Sequence, residues 1–362
     1  MGVNISNAFP FYITIIIVSV LLMSFSQKWA NGKLVKFRKV WFILSFVPLW
    51  YVSAFTSSGA DYEQYAFICY DAAYRIQESY TEFGWNLLSL FFTFILKDPY
   101  KTLFVIQTLT LSLYIYAFYL IRKDVSLWLS LLAFEIFLFF NFGLMSIYLS
   151  VALVLLSIIE FTKNKYKSSI IFLLLACSFH SSALFWIPAY LLSFYANRVN
   201  WAISKLSAIL MLAILVFIGM IRILMPILLN MTLFQHYASY EFEGNLSFGL
   251  GNMILYIMYF YLLSKYIKNK GCLNEKRFLL ILVSISFAYM LIGYMIPTVT
   301  RMKFYTVYIT AFFIPKALRY RYSNLKLLVW VLFLILYGGF GLYKTISTEE
   351  YLMSNWIFFN PW

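Results

Sequence analysis

The chain has 362 residues, 63% of them hydrophobic and only 12% charged, where a soluble domain carries roughly 45–50% apolar and about 25% charged residues. A domain of this size still exposes about a quarter of its unfolded-chain surface, so these figures exclude a soluble enzyme, a disordered protein and a disulfide scaffold. What remains is an all-α, polytopic integral membrane protein, in which the net charge of +14 reads as cations gathered in cytoplasmic loops rather than as a nucleic-acid surface.

Taken in order, the apolar runs predict crossings at 8–26, 40–56, 102–121, 127–142, 147–161, 168–180, 183–195, 206–225, 251–267, 278–296, 302–317 and 327–343. The first is not expected to be a signal peptide, because residues 1–7 carry no positive side chain and no A-x-A site follows. The run 83–96 (FGWNLLSLFFTFIL) has 14 residues, a length that fits a re-entrant or interfacial segment. Orientation supports that reading. If 83–96 does not cross, 21 of the 28 Lys and Arg fall on one side and seven on the other: Arg75, Lys97, Lys101, Arg222, Arg301, Lys303 and Lys344. If it did cross, the basic loops before and after it would face opposite sides, against the positive-inside rule. The expected architecture is one membrane domain, 1–362, with about 12 transmembrane helices and both termini outside. An outer region spans 57–101 and an outer loop spans 226–250.

Ten of the 14 acids and both histidines fall on the outer side, so the active face is expected to point outward. In the first outer region, Gly59 lets the chain turn before Asp61. Tyr62, Glu63 and Tyr65 then open a stretch that alternates aromatics with carboxylates and predicts an interfacial helix. An aromatic belt at headgroup level accounts for such tyrosines; Asp61, beside a glycine at a membrane mouth, is a candidate catalytic group. In SFHSSALFWIPAYLL (178–192), His180 sits between two apolar runs, where an imidazole can exchange a proton near neutral pH. Ser181 beside it is a weak nucleophile signal, since adjacent residues of a helix do not face each other. The loop 226–250 holds His236 and Glu241 among tyrosines, a composition suited to sugar or to a solvated loop. Late in the chain, MIPTVTRMKFYTVYITAFFIP (295–315) carries Arg301 and Lys303 against the charge trend, and a guanidinium fork suits phosphate or carboxylate. Arg222 and Arg75 are further candidates for an anion, although Arg222 can also snorkel.

Several signals are absent. There is no GxxxxGK[ST] loop and no GxGxxG after a strand, so a nucleotide is not expected. HExxH is missing, and Cys69, Cys177 and Cys272 form no metal spacing, so neither metal nor cofactor is expected. Glu135 and Glu160, in or near spans, are too few for a proton relay.

Four elements in this order resemble the Wzy-like bacterial polysaccharide polymerases of the EpsG type. They are GADYEQY (59–65), the apolar stretch from Gly143 through LSVAL (149–153), ACSFHSSALFWIPAYLL (176–192) and Arg301 opening a late span. The resemblance covers nearly the whole chain as an arrangement, and SFHSSALFWIPAY is its most specific part. It implies a membrane glycosyltransferase of GT-C-like fold in the bacterial cytoplasmic membrane. Such enzymes join undecaprenyl-pyrophosphate-linked oligosaccharide repeat units on the outer face, for capsule, exopolysaccharide or O-antigen. They use no nucleotide sugar and no metal. A chain-length regulator and a flippase of the same pathway are implied partners, besides membrane lipid. Two family features are missing: Thr56, Ser57 and Ser58 stand where an arginine often precedes the Gly-x-Asp element, and Ser146 and Ile147 stand where Arg-Gln often precedes the LA-x-A run.

The expected chemistry follows. Arg301, with Lys303 or Arg222, stabilises a pyrophosphate leaving group, and His180 or Asp61 takes the proton of the acceptor sugar hydroxyl. Tyr62, Tyr65, Glu63, Arg75, His236 and Glu241 line the substrate. Two other classes share parts of the pattern: a membrane O-acyltransferase acting on polysaccharide, with its histidine open to an inner acyl donor, and a flippase for lipid-linked oligosaccharide, which should show internal pseudosymmetry.

Overall fold

A computed structural model describes residues 5–28, 37–55, 61–74, 82–139, 143–199, 202–229, 250–269, 273–293, 297–319 and 324–347. Every regular element among them is helical. The chain divides into two units, Met1–Ala183 with Thr310–Trp362, and Leu184–Ile309.

The first unit opens with α1 (Ile5–Lys28), followed by α2 (Arg38–Leu44) and α3 (Val47–Ala54). The expected crossing at 40–56 is therefore two short helices. Pro48 lies in the first turn of α3; it has no N–H to give and its ring clashes with the carbonyl four residues back, so α2 stops at Leu44. Next come α4 (Tyr62–Tyr74), α5 (Phe83–Leu96) and α6 (Pro99–Ile121). The turn between α5 and α6 is set locally. Lys97 takes the left-handed conformation (φ 53°) that ends a helix, and Asp98 caps the next by accepting the N–H of Tyr100 at 2.8 Å and of Lys101 at 3.0 Å. Pro99 follows at the first helical position, where a missing N–H costs nothing. α5 rises about 1.5 Å per residue over 14 residues, roughly 21 Å, well short of an apolar layer about 30 Å thick.

After α7 (Leu127–Phe137), the centre of this unit is α8 (Met145–Thr162), buried on every side from Met145 to Phe161. It lies along α9 (Tyr166–Phe179) through small polar residues: Ser150 Oγ donates to the Ala176 carbonyl at 2.9 Å, and Ser157 Oγ donates to the Ser169 carbonyl at 2.7 Å. Serines at such a seam let two backbones approach while their hydroxyls stay satisfied.

A 3₁₀ turn, Ser181–Trp186, leads into α10 (Ile187–Arg198), so the expected run 183–195 begins tighter than an α-helix. The second unit continues with α11 (Ile203–Leu229), α12 (Leu250–Asn269) and α13 (Leu273–Gly293), then a 3₁₀ segment, Pro297–Thr306. α13 is its centre and packs on the other three helices and on that segment. Trp186 is buried with ring contacts to Tyr289 at 5.9 Å and Tyr305 at 6.2 Å. The buried Arg277 guanidinium donates to Asn197 Oδ1 at 3.3 Å.

The chain then returns to the first unit through a π-turn (Tyr308–Phe313), α14 (Ile314–Arg319) and α15 (Asn324–Phe333), then a second π-turn (Leu334–Gly338) and α16 (Gly339–Ser347). The runs expected at 302–317 and 327–343 are thus interrupted helices. Pro315 cannot donate back along the first of them, which favours a wider turn just before it. Gly338 touches α7 so closely that a Cβ there would lie 1.9 Å from Ile136 Cγ2.

Four described helices are long and apolar enough to cross a membrane: Phe9–Gln27, Pro99–Ile121, Met145–Thr162 and Leu273–Gly293. Shorter apolar helices include Phe83–Leu96, Leu127–Phe137 and Tyr166–Phe179.

Candidate functional site

The site is built from α4, α5, α8 and the end of α9, all in the first unit. Helix α4 carries the motif residues in its first turn, with Asp61 just ahead of it; the Asp61 carbonyl accepts the Tyr65 N–H at 2.9 Å. Tyr62, Tyr65, Ala66 and Cys69 fall on one face and bury against Trp85, Leu103, Ile106, Met145 and Leu149. Glu63 falls on the exposed face and accepts a hydrogen bond from the Tyr100 hydroxyl at 3.2 Å. The Tyr62 and Tyr100 rings stack at 6.2 Å.

Tyr65 joins α4 to the start of α8. Its hydroxyl lies 3.0 Å from Ser146 Oγ and accepts the Ser146 N–H at 3.4 Å, while its ring meets Trp85 at 4.8 Å. Burial pushes the Tyr65 hydroxyl up to about 12, and the negative charges of Asp61 and Glu82 add to that rise against the lowering effect of the Ser146 contacts. Both carboxylates therefore lie close to this ring. The Tyr62 hydroxyl and the Trp85 indole N–H are buried with no hydrogen-bond partner.

His180 ends α9. It leaves the helix in an extended conformation (φ −157°, ψ 124°), with its own N–H still bonded to the Ala176 carbonyl at 3.0 Å. The following 3₁₀ turn brings Ser182, not Ser181, onto the ring: Ser182 Oγ lies 2.6 Å from Nδ1 and the Ser182 N–H donates to Nδ1 at 3.2 Å. Glu82 reaches the same edge from the start of α5. Its Oε1 accepts the Ser181 N–H at 3.3 Å and lies 3.8 Å from His180 Nδ1. This reach depends on Gly84, where a Cβ would stand 2.5 Å from Ser178 Oγ and 2.7 Å from the Ser178 carbonyl oxygen. Only a glycine lets the first turn of α5 touch the last turn of α9.

The structure thus brings Tyr62, Glu63 and Tyr65 together on α4, with Asp61 and Glu82 close to Tyr65 and His180 against Glu82. Lys303 belongs to the second unit, exposed, with Nζ 5.2 Å from the Phe304 ring centre. Arg222 lies on α11 and Arg301 on the 3₁₀ segment of that unit, with side chains outside the described set. Gly59, Arg75, His236, Glu241 and most of the loop 226–250 lie outside the described residues. Sequence reasoning missed Glu82, Gly84, Ser146 and Ser182. Ser182 follows His180 by two places, and a tight turn after the helix was the one signal available for it.

Cys69 is buried, and its thiol is pushed up to about 11, which makes it inert. Among the described residues no group of three or more His, Cys, Asp or Glu could hold a metal ion.

Residues 39–360, most of the chain, match the model of the EpsG family. No curated protein and no solved structure matches the chain.

Proposed function

The chain belongs to the EpsG family, and from that premise we propose that it is a membrane polysaccharide polymerase. Family and apolar helices together make it a membrane protein of polysaccharide biosynthesis. In the proposed reaction the acceptor sugar hydroxyl oxygen bonds to the anomeric carbon of an undecaprenyl-pyrophosphate-linked oligosaccharide. The glycosidic C–O bond to pyrophosphate breaks, its electron pair leaves with the phosphate oxygen, and the acceptor proton passes to Asp61 or His180. Such proton transfer is worth roughly 10²–10⁴-fold. The reading extends to the outer face of the bacterial cytoplasmic membrane and to about twelve crossings, with α5 re-entrant. The product class is capsule, exopolysaccharide or O-antigen.

The observation that carries this reading is the His180–Ser182–Glu82 group, on the same unit as the α4 that holds Tyr62, Glu63 and Tyr65. Pyrophosphate needs cationic help, and Arg301 with Lys303 and Arg222 are proposed for it; Arg75, His236 and Glu241 are proposed substrate contacts. The test is a proteoliposome assay with polyprenyl-pyrophosphate-linked repeat units, read as a ladder of polymer lengths. Wild-type protein lengthens the oligosaccharide, whereas His180→Ala and Arg301→Ala reach the membrane and make none. Wild-type ladders from both variants would refute the assignment.

A further inference from the structure

We infer that His180 is locked as the neutral tautomer with its proton on Nε2, and so serves the reaction as a hydrogen-bond donor to an anionic oxygen and not as the base. The role in the reaction rests on the polymerase reading above; the tautomer does not.

The lock comes from the backbone. An amide N–H can only donate, and the Ser182 amide donates to His180 Nδ1 at 3.2 Å. Nδ1 must therefore offer a lone pair. In a neutral imidazole the proton then sits on Nε2, since the bond made by one ring nitrogen fixes the state of the other. The Ser182 hydroxyl, 2.6 Å from Nδ1, rotates to donate to the same lone pair. A serine hydroxyl alone would accept either tautomer, so the amide is the deciding group. His180 is 5% exposed and its backbone is held at both ends, by the Ala176 carbonyl and by the Ala183 N–H that bonds the His180 carbonyl at 3.1 Å. Ring and amide are thereby kept in register.

This geometry differs from a Ser-His-acid triad. There the acid and the hydroxyl sit on opposite ring nitrogens, so that one side orients and the other takes a proton. Here Ser182 and Glu82 share the Nδ1 edge. The proton on the opposite edge, at Nε2, is a donor of the kind that suits the charge developing on a leaving phosphate oxygen. Proton removal from the acceptor then falls to a carboxylate; Glu82 is held at the Nδ1 edge and Glu63 by Tyr100, which leaves the role to Asp61, ahead of α4 and close to Tyr65. The acceptor proton moves to an Asp61 oxygen while the pyrophosphate oxygen gains the electron pair and the Nε2–H hydrogen bond.

Two measurements test this. The chain has only two histidines, so ¹⁵N-histidine spectra of the full-length protein in liposomes resolve both. The signals missing from His180→Gln belong to His180. Near pH 8 they should show a protonated, pyrrole-type Nε2 and an unprotonated, pyridine-type Nδ1, and inorganic pyrophosphate should shift the Nε2–H signal. A protonated Nδ1 would overturn the inference whether or not the protein polymerises. In the proteoliposome assay, removal of one such donor in His180→Ala should cost about 10²–10³-fold. His180→Gln, whose amide NH₂ reaches the Nε2 position without titrating, should recover activity to within about tenfold of wild type. A Gln variant as inactive as Ala would mark His180 as the base.

Discussion

The Glu82 carboxylate opens α5 yet spends its oxygen on another element, accepting the Ser181 N–H at 3.3 Å across 99 residues of sequence. An acid at a helix N-terminus ordinarily bonds the amides of its own first turn. Here that capping bond is absent, and the side chain instead holds the turn that carries His180 and Ser182. The contact to His180 itself, at 3.8 Å with Glu82 a quarter exposed, adds little to stability by comparison. Glu82→Ala should therefore destabilise by about 1–3 kcal/mol by orphaning a partly buried amide. Glu82→Gln keeps an acceptor and should stay near wild type in thermal unfolding. If Gln and Ala lose stability equally, charge and not the amide bond is what Glu82 supplies.

Gly84 sets the distance across which Glu82 works. In Gly84→Ala the new methyl meets the Ser178 side chain and also its backbone oxygen and carbon, at 2.7 and 2.8 Å, so α5 and α9 must separate. A cost of about 1–3 kcal/mol is expected, with loss of polymer. Ser178→Ala should not rescue it, because the backbone contacts remain. Full rescue by Ser178→Ala would show the hydroxyl to be the sole obstacle. Both readouts, melting temperature and polymer ladder, apply to the double variant.

These two residues show where the sequence stopped being legible. The α5–α6 turn could be read locally, because Lys97, Asp98 and Pro99 each favour a stop, a cap and a start. The apolar run at 40–56 could be read, but its break into α2 and α3 could not, because the composition is apolar throughout and a single proline divides it. The motif tyrosines were legible as one helical face of α4. Their meeting with His180 was not: Glu82 is one acid among several in the outer region, and nothing in the sequence names its partner. Ser181 and Ser182 are indistinguishable in composition, and only the extended His180 backbone with the 3₁₀ turn after it selects the second.

Tyr65 gives a pH window. Its hydroxyl titrates near 10 in an unfolded chain and at about 12 in the folded one, chiefly through burial. A raised folded-state value means that the neutral form fits and the ionised form does not. The stability that Tyr65 supplies is therefore complete below pH 10 and is lost as pH rises from 10 through about 12. Tyr65→Phe should cost about 0.5–1.5 kcal/mol at pH 8, through the lost Ser146 hydrogen bond. It should overtake wild type between pH 10 and 12. Parallel pH profiles of unfolding for the two proteins would show that Tyr65 does not ionise in that range.

Glu135, on α7, is a carboxyl with no exposure whose two oxygens have no hydrogen-bond partner. Ser19 on α1 and Tyr148 on α8 are its polar neighbours, and both hydroxyls are themselves buried without a bond that meets hydrogen-bond geometry. An unpaired buried polar group costs about 1–3 kcal/mol, and Met fills nearly the same volume without that cost. Glu135→Met should raise stability by about that amount, and Glu135→Gln, still polar, should gain less. Ionisable groups within apolar helices are retained for function more often than for stability. Polymer yield from Glu135→Met should accordingly fall while the protein melts higher. A variant that is both less stable and fully active would mean that Glu135 is paired in the working protein and serves the fold alone.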